Sequence, residues 1–313
     1  MVKPTIAVIG AGSIGTRHAA NLNTLGVDVV QIPWREFDAA QFSARRDLDG
    51  VVIATSTSIR LELVTLCAQM NLPFYAEKPL AWTTALVDEI HEVATPVAER
   101  SMIGFMMRYH PAVRALAEKD LSNIYSFTME IGHDVRQWRP NWSFSASYAA
   151  KPEGGGVLLD LSHEIDLAVA LFPNMDLQSS TCLGHAEFPG VDFATKLELT
   201  SQRGLFGSVN LDYLSPVSVR KSQFHGLTQS WELDFGVPEL ATRTPAGRQA
   251  VTYDFERNDM FLDAMRDFLA LVSGKATANP LAPRFDRMFE TSSMIARAWC
   301  ARKFVGNIAR EMG

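Results

Sequence analysis

The chain has 313 residues, 47% hydrophobic and 20% charged, a composition that suits a folded protein with an ample core and a length that suggests two domains. Its net charge of −6 argues against a nucleic-acid surface, which needs a clustered basic face, and no apolar run approaches the ~18–20 residues of a membrane span. Cys67, Cys182 and Cys300 are odd in number, far apart and without a CxxC pair, which suits a reducing compartment. A strand that begins by Thr5 leaves no room for a signal peptide, so a cytoplasmic α/β protein with no membrane or nucleic-acid partner is expected.

Thr5 to Ile9 reads as an apolar strand and runs without a gap into Gly10-Ala11-Gly12-Ser13-Ile14-Gly15. Ile14, Ala19, Leu22 and Leu25 then fall on the apolar positions of a helix. Strand, Gly-x-Gly-x-x-Gly turn and helix in this order make a cradle for a nucleotide pyrophosphate. The first glycine permits the turn, the second lets phosphate approach bare backbone, and the third lets helix pack on strand. The helix N-terminus favours an anion through its unpaired N–H groups and its dipole.

A second strand follows at Val27 to Ile32 and a third at Gly50 to Ala54. A helix is predicted over Ser58 to Met70, then a fourth strand over Leu72 to Ala76 with Pro73 at its start. Thr83 or Thr84 can cap a helix carrying Leu86, Val87, Ile90 and Val93. Met102 to Phe105 is a fifth strand, and Pro111 opens a short helix. Strand and helix in alternation favour a doubly wound parallel sheet over residues 1–120, the nucleotide-binding domain.

From Asn123 strand-like runs dominate: Tyr125–Ile131, Phe193–Ser201, Leu205–Tyr213, Ser218–His225 and Ser230–Phe235. Turn signals between them fit a mainly antiparallel open sheet in an α+β domain over residues 121–313. Helices are predicted over Val157–Leu171, Asn258–Val272 and about Asp286–Arg302, the last two able to pack back on the first domain. The stretch His133 to Glu153 carries four aromatics, Arg136, Arg139 and two prolines with little regular pattern, a loop of the kind that is often functional.

Several groups are placed for chemistry. Glu77-Lys78-Pro79 ends the fourth strand, at the sheet edge where open α/β folds bind ligands, and the Lys-Pro bond is a candidate for cis. A lysine there can hydrogen-bond a substrate hydroxyl and offset a developing alkoxide, and it can equally be a surface residue in a proline turn. Gly154-Gly155-Gly156 precedes a helix on which Asp160, His163 and Glu164 fall within an arc of about 100°, with Asp166 further round. Ionisable groups on an otherwise apolar helix are costly without a purpose, and imidazole beside carboxylate is a common general base. No metal-ligand spacing is present, so no metal is expected. Arg108 follows the fifth strand as a substrate contact or a simple helix start, and His18 can approach a cofactor or merely pack. His91, His133, His185 and His225 have no neighbours in sequence that single them out.

Gly10-x-Gly12-x-x-Gly15, Glu77-Lys78-Pro79, Arg108–Pro111 and Gly154-Gly155-Gly156-x-Leu158-x-Asp160 with His163, in this order and at these intervals, resemble the glucose–fructose oxidoreductase, inositol dehydrogenase and MocA family. The resemblance covers nearly the whole chain, and Trp138 to Asp166 with Arg257–Met260 is similar to a branch often found with bacterial surface-sugar biosynthesis. It implies a nicotinamide cofactor on the N-terminal domain and a sugar-like substrate against the C-terminal sheet. It further implies hydride transfer between the cofactor and a carbon bearing a hydroxyl or ketone. Lys78 and Asp160 match the family's lysine and aspartate. The family's histidine comes four residues after the aspartate, where this chain has Glu164, one residue beyond His163. His163 is taken as the acid/base, with Glu164 as its rival.

The same resemblance implies cofactor contacts at Gly10, Gly12, Ser13, Ile14, Gly15, Trp34, Arg35, Thr55, Glu77 and Lys78. It implies substrate contacts at Lys78, Arg108, Arg136, Trp138, Tyr148 and His163. Relatives that use bound nicotinamide for redox-neutral cleavage or elimination, or that only sense it, are the alternatives. A homodimer or homotetramer through the C-terminal sheet is expected. An acidic residue about 20 positions after the glycines would hold a ribose 2′-hydroxyl. Asp28 has that spacing but lies at the start of the second strand, whose end reads Pro33-Trp34-Arg35. Arg35 tilts the choice toward NADP over NAD, with Trp34 on adenine, although Glu36 or Asp38 can reach a ribose.

Overall fold

A computed structural model describes residues 3–137 and 143–309. In chain order its helices and strands are β1 (Thr5–Ile9), α1 (Ser13–Thr24), β2 (Asp28–Ile32), α2 (Ala39–Ser43), β3 (Gly50–Ile53), α3 (Arg60–Gln69), β4 (Phe74–Ala76), α4 (Thr84–Ala94), β5 (Met102–Ile103) and α5 (Pro111–Ala117). There follow β6 (Ile124–Gly132), α6 (Val157–Asp160), α7 (His163–Leu171), β7 (Met175–His185), β8 (Phe188–Ser201), β9 (Phe206–Asp212) and β10 (Val219–Gly226). The chain continues through β11 (Ser230–Asp234), β12 (Glu239–Thr244), β13 (Gly247–Thr252), α8 (Arg257–Val272), α9 (Phe289–Cys300) and β14 (Lys303–Ile308). It divides into two compact units, Met1–His110 with Phe255–Ser293 and Pro111–Asp254 with Met294–Gly313. The first crossing falls at His110/Pro111, ahead of the position near 120 read from the sequence.

The first unit is built on a parallel sheet in the order β2-β1-β3-β4-β5. Strands covered on both faces read as continuous apolar runs, and Ile6–Ile9 and Val51–Ile53 are fully buried. Strand order reverses direction between β1 and β3, which marks the carboxyl edge there as the ligand crevice of a doubly wound sheet. Within this unit α8 returns against α1, where Asn21 and Asn258 exchange side-chain hydrogen bonds of 3.3 and 2.8 Å. Gly50 lets Phe268 and Val272 of α8 close on the start of β3.

The second unit holds a nine-stranded sheet in the order β13-β12-β11-β10-β6-β9-β8-β7-β14. Among the described residues only β6–β9 and β7–β14 pair in parallel in this sheet, so the expected mainly antiparallel sheet is present. Its inner face alternates in register, with Phe127, Met129, Leu197, Leu199, Val209, Leu211, Phe224, Trp231 and Leu233 all buried. Helices α6 and α7 lie on β6, β8 and β9, and α5 on β11 and β12. The opposite face is polar and laced with ion pairs, Arg243–Glu232 at 2.6 Å and Lys221–Asp234 at 3.1 Å among them.

Two expectations change. The single helix over Val157–Leu171 is two helices, because Leu161 (φ −98°, ψ 27°) leaves the α conformation between them. The arc computed for one continuous helix therefore does not apply to Asp160 against His163 and Glu164. Four strands, β7, β12, β13 and β14, stand where no strand is predicted. Every residue of β13 is exposed, so its pattern carries no apolar alternation to read. Among the described residues no helix is long and apolar enough to cross a membrane.

Candidate functional site

In the first unit the glycine turn sits at the carboxyl edge of β1. The Gly10 N–H donates to the Ile32 carbonyl at 2.8 Å, and Gly10 adopts φ +119°. A Cβ on Gly10 would lie 2.3 Å from the Ala54 oxygen, and one on Gly15 would lie 2.2 Å from the Gly10 oxygen. Those two glycines thus weld β1, β3 and α1 together. Gly12 differs: a Cβ there would meet nothing within 4 Å. It is the N-cap of α1 and supplies no side-chain cap, and Ala11, Gly12 and Ser13 are exposed. The first N–H groups of α1, at Ser13 and Ile14, therefore lie at an exposed turn with no intrahelical acceptor.

Thr55, just beyond β3, has a buried hydroxyl with no hydrogen-bond partner in the structure. Trp34 and Arg35 occupy a single turn after β2, Trp34 stacked on Phe37 at 5.2 Å and Arg35 exposed with a 3.3 Å contact to Glu36. Asp28 pairs with Thr5 at the opposite end of β2. These groups fit a dinucleotide: bare backbone and free amides for pyrophosphate, an aromatic and a cation for the adenosine end, an orphaned hydroxyl between them.

Glu77-Lys78-Pro79 follows β4, and the Lys78–Pro79 bond is cis. The Glu77 carboxylate turns inward. It lies 2.7 Å from His18 Nε2 and fits against Gly104, where a Cβ would meet it at 3.0 Å. His18 is fully buried, with its ring edge-on to Tyr75 and Phe261, so of its two expected roles it packs. Burial pulls the Arg60 guanidinium down to about 10, opposed by the charge of Glu77, and raises the Tyr75 phenol well above its ordinary value. Glu77 thus meets the buried His18, and Lys78, the next residue, is half-buried at the edge. Arg108 is 7% exposed and its guanidinium donates to Leu281 O and Thr291 Oγ1 at 3.4 and 3.3 Å, while Asn279 Nδ2 donates to its carbonyl. The structure commits Arg108 to the interior of its own unit.

In the second unit Gly156 (φ +94°) begins α6 with its Cα pressed on Asp192, where a Cβ would fall 2.0 Å from Oδ1. Asp192 is fully buried and accepts from the Leu158 N–H, the Thr195 hydroxyl and Arg302 at 2.9, 2.8 and 2.5 Å. This brace fixes the last residue of α6, Asp160. Asp160 is 6% exposed and accepts from Tyr148 and Tyr213 hydroxyls at 2.6 and 2.7 Å. Burial, then the charge of Asp160, raise the Tyr213 phenol well above its ordinary value, so it remains a donor.

His163 is half-buried at the first position of α7. Glu164 points elsewhere: it is 1% exposed, and Arg220 Nε donates to it at 2.6 Å. Arg136 forms a two-pronged pair with Asp134 at 2.9 and 2.6 Å, and Tyr148 is exposed apart from its hydroxyl contact. Trp138 and Arg139 lie outside the described residues. The structure thus joins Tyr148 to Asp160 and sets Glu164 against Arg220. Tyr213, Asp192 and Arg220 escape sequence reasoning. Each lies on or beside a strand far along the chain from Asp160 and Glu164, and no local pattern announces such a pairing.

No family model matches the chain. It is 32% identical to an inositol 2-dehydrogenase of Acidothermus cellulolyticus over 36% of this chain and 38% of that one. It is 27% identical to a myo-inositol 2-dehydrogenase of Thermotoga maritima over 52% and 53%. The chain therefore spans less than two thirds of the length of these curated relatives. Among solved structures, a 3-ketoreductase from Actinomadura kijaniata in complex with NADP and TDP-benzene superposes with a TM-score of 0.77 at 15% identity, covering 98% of this chain and 100% of that one. That likeness is one of fold.

Proposed function

We propose that this chain, a member of the glucose–fructose oxidoreductase, inositol dehydrogenase and MocA family, is an NAD(P)-dependent oxidoreductase acting on a hydroxyl- or keto-bearing carbon of a sugar, cyclitol or sugar derivative. The observation that carries the reading is Gly12, an uncapped helix N-terminus with open space where any side chain would stand. Bound nicotinamide supplies a hydride donor or acceptor. The residues of this chain do the rest. Amides of Gly12, Ser13 and Ile14 hold the pyrophosphate, Thr55 offers its hydroxyl, and Trp34 with Arg35 take the adenosine end with a preference for NADP.

Lys78 hydrogen-bonds the reacting oxygen and offsets its charge as alkoxide develops. His163 takes the hydroxyl proton in oxidation and returns it in reduction. Asp160, held by Tyr148 and Tyr213, keeps a fixed anion in the substrate-binding unit, and Arg136 and Tyr148 are placed there to meet substrate hydroxyls. Glu164 suits the proton step less well, because its carboxylate is buried on Arg220. The unit of Met1–His110 with Phe255–Ser293 would serve the cofactor, and that of Pro111–Asp254 with Met294–Gly313 the substrate. Assembly through the nine-stranded sheet would use a polar face rich in ion pairs.

Lys78→Ala is expected to lower turnover about 10²–10³-fold, the scale of losing one oxyanion donor. NADPH binding, followed by fluorescence, should remain near that of the parent. Unchanged turnover would remove Lys78 from the chemistry. Nicotinamide that co-purifies and is never consumed would point to redox-neutral chemistry instead.

A further inference from the structure

We propose that Arg302 is a positioning residue of the substrate-binding unit: from the turn after α9 it holds the Asp192 carboxylate against Gly156 and so fixes the place of Asp160 and of its hydrogen bond with Tyr148. The proposal rests on the sugar-oxidoreductase reading above and adds a residue to it. Arg302 lies between α9 and β14, 110 positions along the chain from Asp192. Its side chain is only 9% exposed. The guanidinium carbon lies 4.1 Å from the centre of the Trp299 ring and 5.5 Å from that of Phe304. Nε donates to the Trp299 carbonyl at 3.0 Å. Nη1 donates to Asp192 Oδ1 at 2.5 Å and to the Gly190 carbonyl at 3.4 Å. Two aromatic rings and three acceptors fix the cation, a fit that suits a planar guanidinium and not an ammonium.

Asp192 is fully buried, and among the described residues Arg302 is the one cation paired with it. Its other oxygen, Oδ2, accepts from the Leu158 N–H and the Thr195 hydroxyl. One carboxylate thus joins the end of α9 to the first turn of α6, whose last residue is Asp160. A second tie runs the same way, since Trp299 Nε1 donates to the Gly155 carbonyl at 3.4 Å. Gly155 is packed on the loop that carries Tyr148. A Cβ there would lie 2.7 Å from the Tyr148 carbonyl oxygen and 2.3 Å from that of Lys151. The Gly156 N–H donates to the Ala149 carbonyl at 2.9 Å. Both partners of the Tyr148–Asp160 hydrogen bond, loop and helix, are therefore anchored at one turn. Without the guanidinium, the Asp192 charge would keep only neutral donors in a dry site, and such a group takes up a proton or turns toward water. Either change loosens the turn, and Asp160 is drawn off the Tyr148 and Tyr213 hydroxyls that now donate to it at 2.6 and 2.7 Å.

The test is carbon-13 NMR of the whole protein labelled at tyrosine Cζ, an atom that reports the hydrogen bond of each phenol. The chain has six tyrosines, and Y148F and Y213F each identify one signal by its loss. D160N gives the positions that these two signals take once the carboxylate is removed. In R302M both are expected to move toward their D160N positions, and in R302K to move the same way by a smaller but measurable shift. The other tyrosine signals should hold still, which shows that the variant is folded. A residue that only adds stability would lower the denaturant midpoint and leave both signals where the parent has them. Unmoved Tyr148 and Tyr213 signals in folded R302M overturn the proposal, and if R302M does not fold, unmoved signals in R302K overturn it. NADH and NADPH binding to the parent is followed in parallel by fluorescence. A parent that binds neither nucleotide would reject the oxidoreductase reading, whereas movement of the two signals would still leave Arg302 as the residue that positions Asp160.

Discussion

At Gly12 a Cβ would meet nothing within 4 Å, whereas at Gly156 it would fall 2.0 Å from the Asp192 carboxylate. Both residues belong to glycine-rich turns that start a helix, and in sequence the two turns look alike. The first leaves a helix N-terminus bare and exposed, with no side chain to cap it. The second fills the same kind of space with the protein's own anion, since Asp192 accepts the Leu158 N–H near the start of α6. A glycine run therefore has two uses, to admit a foreign anion or to admit one from the same chain. The tertiary partner distinguishes them.

Three substitutions can break or sharpen this contrast. The largest effect is expected for Gly156→Ala, which combines φ +94° with a backbone-to-carboxylate clash. It should cost about 3 kcal/mol or more of stability, read as a lowered denaturant midpoint. A midpoint equal to the parent's would mean that Asp192 can retreat. Gly12→Ala should leave stability untouched, because φ −74° suits any residue, and should weaken NADPH binding at least about tenfold by setting a methyl where phosphate approaches. Undiminished NADPH affinity in that variant would place the pyrophosphate elsewhere.

Arg35→Ala is the mildest. NADPH affinity should fall about tenfold, as for one charge-assisted contact to a 2′-phosphate, with NADH affinity nearly unchanged. A parent that prefers NADH would reverse the assignment and turn attention to Glu36 or Asp38.

Much of the fold was legible because it is dictated locally. The buried runs Ile6–Ile9 and Val51–Ile53 can only be strands covered on both faces, and Thr83 caps α4 as its hydroxyl dictates, accepting from the Leu86 N–H at 3.3 Å. The break at Leu161–Ser162 was not legible. Val157, Leu158, Leu159, Leu161, Ile165 and Leu167 are apolar on every side, so no phase in the pattern marks where one helix stops and the next begins. Strands β13 and β14 escaped for the opposite reason, being exposed along almost all their length.

The amino-acid sequence by itself determined the strand–turn–helix at Gly10–Gly15, the placement of Lys78 at a strand end and the change from parallel to antiparallel sheet. Each of these follows from backbone demands or side-chain period within a short window. The tertiary structure alone decided what the polar groups do. Glu77 meets His18 across 59 positions, Asp160 meets Tyr213 across 53, and Glu164 meets Arg220 across 56. A buried carboxylate must find a donor wherever the fold brings one, and that choice is made by sheet order and register rather than by any neighbour in the chain.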